Sequence, residues 1–97
     1  MSEPELTPEQ LIEQIRQLKV ADLVLSTVTT LAQLGYAKLE EQSRDLDQAR
    51  LAIDTIGVLL PTLEGHIPAD LSRDLGSMHA NLQLAYAEAA KGKTEDG

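Results

Sequence analysis

Ninety-seven residues, 42% of them hydrophobic, allow one domain, and a chain this short buries a modest share of its surface. Sixteen acidic against eight basic residues leave a net charge of −8, which repels phosphate backbones and anionic lipid surfaces and argues against direct nucleic-acid binding. Cysteine is absent, which excludes disulfides, thiol nucleophiles and thiolate metal sites together.

Phe and Trp are also absent, so the core must be built from Leu, Ile, Val, Ala, Met and Tyr, a set whose Leu and Ala favour helix. The opening "MSEPELTPEQ" is acidic and lacks the basic and apolar regions of a signal peptide, and no run of about 18 uncharged apolar residues is present to span a bilayer. A cytoplasmic location and no membrane association are the resulting expectations.

Residues 1–6 read as a frayed, disordered N-terminus. In "TPEQ", Thr7 is placed as an N-cap, Pro8 at the first helical position and Gln10 at the third, a capping-box arrangement that starts a helix. Leu11, Ile15 and Leu18 follow at spacings of four and three, with Glu9, Glu13, Arg16 and Gln17 elsewhere around the cylinder. The next stretch, "DLVLSTVTTLAQLG" from Asp22 to Gly35, is ambiguous by composition. Strand alternation leaves neither face clean, whereas helical spacing gathers Val24, Val28, Leu31 and Gly35 in one row and sets Ser26, Thr30 and Gln33 opposite. A first helix over about residues 8–34 is therefore predicted, with a break near residues 19–22 left open because Asp22 could cap a second start. Gly35 is expected to end it.

"YAKLEEQS" reads as a polar connection with Ser43 as candidate N-cap. A second helix is predicted over 44–63, where Leu46, Ala49, Ile53, Ile56, Leu60 and Leu63 form a heptad-like seam and Leu51, Ala52, Val58 and Leu59 widen the apolar surface. Pro61 should kink it or end it early. After the turn "EGHIP", a third helix over 68–91 repeats Leu71, Leu75, Met78, Leu82, Ala85 and Ala89 at the same spacings, Lys91 and Gly92 close it, and 92–97 form a loose, disordered tail. The fold class expected is all-α: one domain, residues 7–91, made of three main helices packed up and down.

Motifs that would carry chemistry fail on spacing. "DLDQAR" begins like a calcium loop at Asp45 and Asp47 but has Ala49 and Arg50 where a ligand and a glycine are needed. Ser77 and His79 in "GSMH" point about 200° apart on a helix and lack the glycine pattern of a nucleophile elbow. His66 and His79 each lack the second histidine at i+4 of a helical zinc pair, so no metal or cofactor is expected. His79, beside Met78 on the third seam, reads as a partly buried histidine bonded to a neighbouring helix, and His66 as a turn residue that caps or faces solvent. Arg50 and Asp54 form an i, i+4 pair on the second helix, read as a solvated ion pair or, more sharply, as a polar structural or partner contact through Asp54.

"LAQLG", "DLDQARLAIDTIGVLL" and "LQLAYAEA" together resemble the small bacterial family called domain of unknown function 1844, nearest its actinobacterial branch. Leu34, Gly35, Leu46, Ala49, Ile53, Asp54, Gly65, Leu82 and Tyr86 carry the likeness, over roughly residues 20–90. Other branches of that family have a Lys-Thr pair and an Asn around the turn where Thr62, Leu63 and His66 stand here, so no role of those polar residues transfers. The resemblance implies an all-helical protein in a bacterial cytoplasmic setting, some of whose relatives lie near translation genes, and it supplies no mechanism.

The residues between Val20 and Leu34 are apolar over more of the circumference than two neighbouring helices would cover. Self-association through the first helix, as a dimer, follows as the leading expectation for a non-catalytic interaction protein, with Leu23, Val24, Val28 and Leu31 on its surface. The alternative is an acidic heteromeric adaptor for a basic, translation-linked protein partner. A small-molecule-binding protein or enzyme is a distant third.

Overall fold

The computed structural model describes residues 7–96, with side chains to residue 92. The expected N-terminal fraying of residues 1–6 lies outside the described residues. Among the described residues the chain is all-helical: α1 (Pro8–Gln17), α2 (Val20–Ala37), α3 (Leu46–Leu63) and α4 (Ala69–Asp96), with one 3-10 turn at Glu41–Ser43. The long first helix is two helices. The three that pack together are α2, α3 and α4, with α3 in contact with both others and α2 touching α4 less extensively.

The break that separates α1 from α2 is short. Leu18 and Lys19 both take extended backbone, with ψ of 141° and 134°. Asp22 does not cap the restart: Lys19 occupies the N-cap without a side-chain bond, and Asp22 sits in the first turn, where a carboxylate complements the helix dipole. The start of α1 follows the capping box, with Gln10 N–H donating to Thr7 Oγ1 at 3.1 Å and Thr7 N–H to Gln10 Oε1 at 3.0 Å.

The core is the meeting line of the three long helices. Val28, Ile56, Leu63 and Leu82 are enclosed outright, joined by Ala32, Ala49, Ile53, Leu75 and Ala89. On α4, Leu75, Leu82 and Ala89 recur every seven residues, and on α3 Ala49, Ile56 and Leu63 do the same. That repeat is the pattern of helices crossing at a shallow angle, in which one face stays against its neighbours for several turns. All the seam positions predicted on α3 and α4 fall in this core or against it.

Three boundaries differ from the sequence reading, and the end of α3 at Leu63 agrees with it. Gly35 does not end α2, which runs to Ala37; it lies buried inside the helix with ordinary helical backbone. Ser43 does not cap α3: its hydroxyl donates to Ala37 O at 2.6 Å, and Asp45 is the cap, accepting from Gln48 N–H at 3.2 Å. Pro61 sits within α3, which continues to Leu63 and there gives way to the turn, so the proline removes the donor for the Gly57 carbonyl only two residues before the helix finishes. At the other end α4 does not close at Gly92 but continues as helix to Asp96.

The two bundle connections are built differently. Between α2 and α3, Arg44 places Nε and Nη2 on the Leu39 carbonyl at 3.1 and 2.8 Å, and Asp45 N–H donates to Lys38 O at 2.8 Å, while Leu39 itself is buried. Between α3 and α4, Gly65 takes a left-handed φ of 82°, and His66 N–H donates to Leu63 O at 2.9 Å. A radius of gyration of 17.7 Å exceeds the roughly 13 Å of a compact chain this size, as expected when α1 stands off the bundle and a 28-residue α4 outruns its 18-residue neighbours.

Candidate interaction surface

The residues expected on a self-association face divide on burial. Val28 is completely enclosed in the chain's own bundle, and Val24 and Leu31 pack against the same core; Leu23 alone is exposed. An enclosed side chain cannot lie between copies, so Val28 belongs to the fold, and the half-buried Val24 and Leu31 are largely spent on the same core. Intrachain packing by α3 and α4 uses the very row that periodicity had marked as surplus.

The surplus apolar surface lies elsewhere. On α1, Leu11, Ile12, Ile15 and Leu18 form one stripe, each at least 49% exposed, and α1 buries no residue at all. A free helix of ten residues is shorter than the 12–15 that marginal stability in water requires, so α1 is a helix in want of a surface. Burying one such Leu or Ile side chain is worth about 1.5–3 kcal/mol, enough for a few of them to decide whether α1 persists.

A second apolar area flanks the seam between α2 and α3. Val20, Ala21 and Val24 line a cavity of about 140 Å³ with Thr62, Leu63 and His66, which sets the Val20 side of α2 against the Thr62 side of α3. From Val20 the same side of α2 continues through Leu23, Thr27, Thr30 and Leu34, and from Thr62 the same side of α3 runs back through Val58, Thr55 and Leu51. Leu23, Leu51 and Val58 are 62%, 57% and 70% exposed.

The threonines belong to this apolar area. Thr27 Oγ1 donates to Leu23 O at 2.8 Å, Thr55 Oγ1 to Leu51 O at 2.7 Å, and Thr62 Oγ1 to Leu59 O at 2.5 Å. With their hydroxyls committed to their own helices, these side chains leave a methyl group outward. No residue from Leu23 to Ala37 is charged. In a chain of net charge −8 this is a conspicuously neutral face. Its signal in the sequence was the second apolar row of α3, Leu51 and Val58, which widened the seam without a partner to cover it.

By length and hydropathy alone α2 reaches the range of a membrane-crossing helix, with Asp22 as its one charged residue. In the fold its Val28, Ala32 and Gly35 row is spent on the bundle core.

The polar candidates are scattered. Arg50 and Asp54 approach to 3.9 Å with both side chains about two-thirds exposed, a loose surface pair. His79, expected to bond to a neighbouring helix, donates from Nε2 to the Ile53 carbonyl at 2.9 Å and packs beside Gly57. The carbonyl can only accept, which assigns the proton to Nε2. His66 and Ser77 are exposed and on different elements. Among the described residues no three His, Asp or Glu side chains gather where they could hold a metal ion. A wider groove of about 530 Å³ lies between the α2–α3 connection and the end of α4, lined by Tyr36, Ala85 and Ala89, with three carboxylates, Glu40, Glu41 and Glu88, and one guanidinium, Arg44, around them.

Compared with family models, with curated proteins and with solved structures, the chain finds no significant match in any of the three.

Proposed function

We propose that the protein is a non-catalytic helical interaction module that self-associates through apolar helix surface. One observation carries this reading: every large apolar residue from Leu11 to Leu23 is at least 49% exposed, on a chain whose charge would otherwise keep copies apart. Large apolar side chains left exposed in this number are the usual mark of a protein interface. Equilibrium sedimentation of the purified chain over a wide concentration range tests it. A dimer or larger species is expected, and a monomer at every concentration refutes the reading.

The groove bordered by Glu40, Glu41 and Glu88 supports a second reading, an acidic adaptor that docks a basic protein segment. A lysine-rich peptide should bind at low salt, weaken steeply as salt rises, and lose affinity in Glu40→Gln and Glu88→Gln. Absence of binding at low salt removes this reading.

A further inference from the structure

We propose that two copies exchange α1, so that the apolar stripe of each α1 lies along the neutral face between α2 and α3 of the other copy. This rests on the self-association reading and names its geometry.

Both halves of the contact are on this chain, and neither is covered. The donor is the α1 stripe through Leu11, Ile15 and Leu18; the acceptor is the face through Leu23, Leu51 and Val58. Their lengths agree. Ten residues of α1 measure about 15 Å, and Leu23 to Leu34 spans about 16 Å along α2.

Leu18 and Lys19 are both extended, and α1 buries no residue against its own bundle, so the α1 stripe of this chain is not spent on its own α2–α3 face. The joint also opens at the edge of the acceptor face, since Val20 begins that row. When two such faces meet about a two-fold axis, each α1 has only the two-residue joint, about 7 Å, to cross before it meets the other copy. An isologous pair then covers both surfaces once on each copy.

The uncharged stretch of α2 is where a second copy can approach with least repulsion, and the net charge sets the sign of the salt effect. Two chains of −8 repel wherever their acidic surfaces approach, and the stretch from Leu23 to Ala37 is the longest uncharged approach α2 offers. Screening that repulsion should tighten the pair, the opposite of what a basic partner in the acidic groove would show.

The test uses the full chain and three single variants: Ile15→Glu on the donor, Val58→Glu on the acceptor, and Leu84→Glu on the exposed side of α4 as control. All three positions are at least 57% exposed, and circular dichroism with thermal unfolding verifies that each variant folds. By sedimentation, the wild type and Leu84→Glu should dimerise alike, and Ile15→Glu and Val58→Glu should each weaken the dimer at least tenfold. An equimolar mixture of Ile15→Glu and Val58→Glu should associate more tightly than either alone, because one exchanged contact in the mixed pair joins an intact donor to an intact acceptor, while the second substitution in the other contact falls where a single one has already broken it. A wild-type dimer that survives both substitutions, or a mixture that shows no recovery, overturns the exchange while leaving self-association in place. A monomeric wild type overturns both.

Discussion

Gly35 of α2 packs directly against Leu82 of α4: a β-carbon on Gly35 would stand 3.2 Å from Leu82 Cδ2 and 3.4 Å from Ala52 Cβ. Leu82 is fully enclosed, and the Ala52 methyl is fixed to its own backbone, so neither neighbour has room to give way. The missing side chain lets three helices converge at one level of the core.

Gly35→Ala should therefore fail to deliver the gain of about 1 kcal/mol that alanine ordinarily brings to a helix interior, and Gly35→Val should cost about 1–3 kcal/mol by overpacking. Gly76 is the matched contrast, a helical glycine on α4 whose added methyl meets open space. Gly76→Ala should raise stability by about 0.5–1 kcal/mol. Urea unfolding of the three variants reads the difference, and a stabilised Gly35→Ala would show that the core can relax around the added methyl.

His79 ties α4 to α3 through Ile53 O at 2.9 Å and fills the space beside Gly57. His79→Ala loses both the bond and the packing, and a loss of about 1–2 kcal/mol is expected, against no measurable change for His66→Ala in the exposed turn. Nitrogen chemical shifts of the neutral ring should report the Nε2–H tautomer. The opposite tautomer would mean that the bond to Ile53 is not made in solution.

The α2–α3 connection should respond to both of its polar anchors. Asp45→Ala removes the N-cap of α3 and should cost about 1 kcal/mol. Arg44→Lys should behave like Arg44→Ala, because two donors of one guanidinium converge on the Leu39 carbonyl and an ammonium cannot reproduce that fork. Amide exchange at Asp45, whose N–H is bonded to Lys38 O, gives a local readout. Full protection in Arg44→Ala would show that the turn holds without the clasp.

Asp54→Ala should leave stability within about 0.5 kcal/mol of the wild type, as for any exposed ion pair. Thermal unfolding beside Asp74→Ala, an exposed carboxylate on α4, checks this. A markedly larger loss for Asp54 would reveal a structural contact beyond Arg50.

Helix positions and seams were legible in the sequence because they are local. The capping box at Thr7 and the seven-residue recurrences of α3 and α4 depend on residues within a few turns of one another, and they stand in the fold where the spacing put them. Periodicity also marked α2 as apolar over much of its circumference and α3 as wider than one seam.

What covered each of those faces was decided only in three dimensions. Val28 is core and not interface because α3 and α4, distant in sequence, close over it. Gly35 is an interior contact and not a helix end because a bare glycine serves conformational freedom and close approach equally well, and only Leu82 distinguishes them. The threonines of α2 and α3 contribute methyl surface because their hydroxyls bond back to Leu23 and Leu51. The sequence by itself determined which sides of each helix avoid water; the tertiary structure determined which of those sides the chain covers for itself, because burial is a property of pairs of elements and not of any one of them.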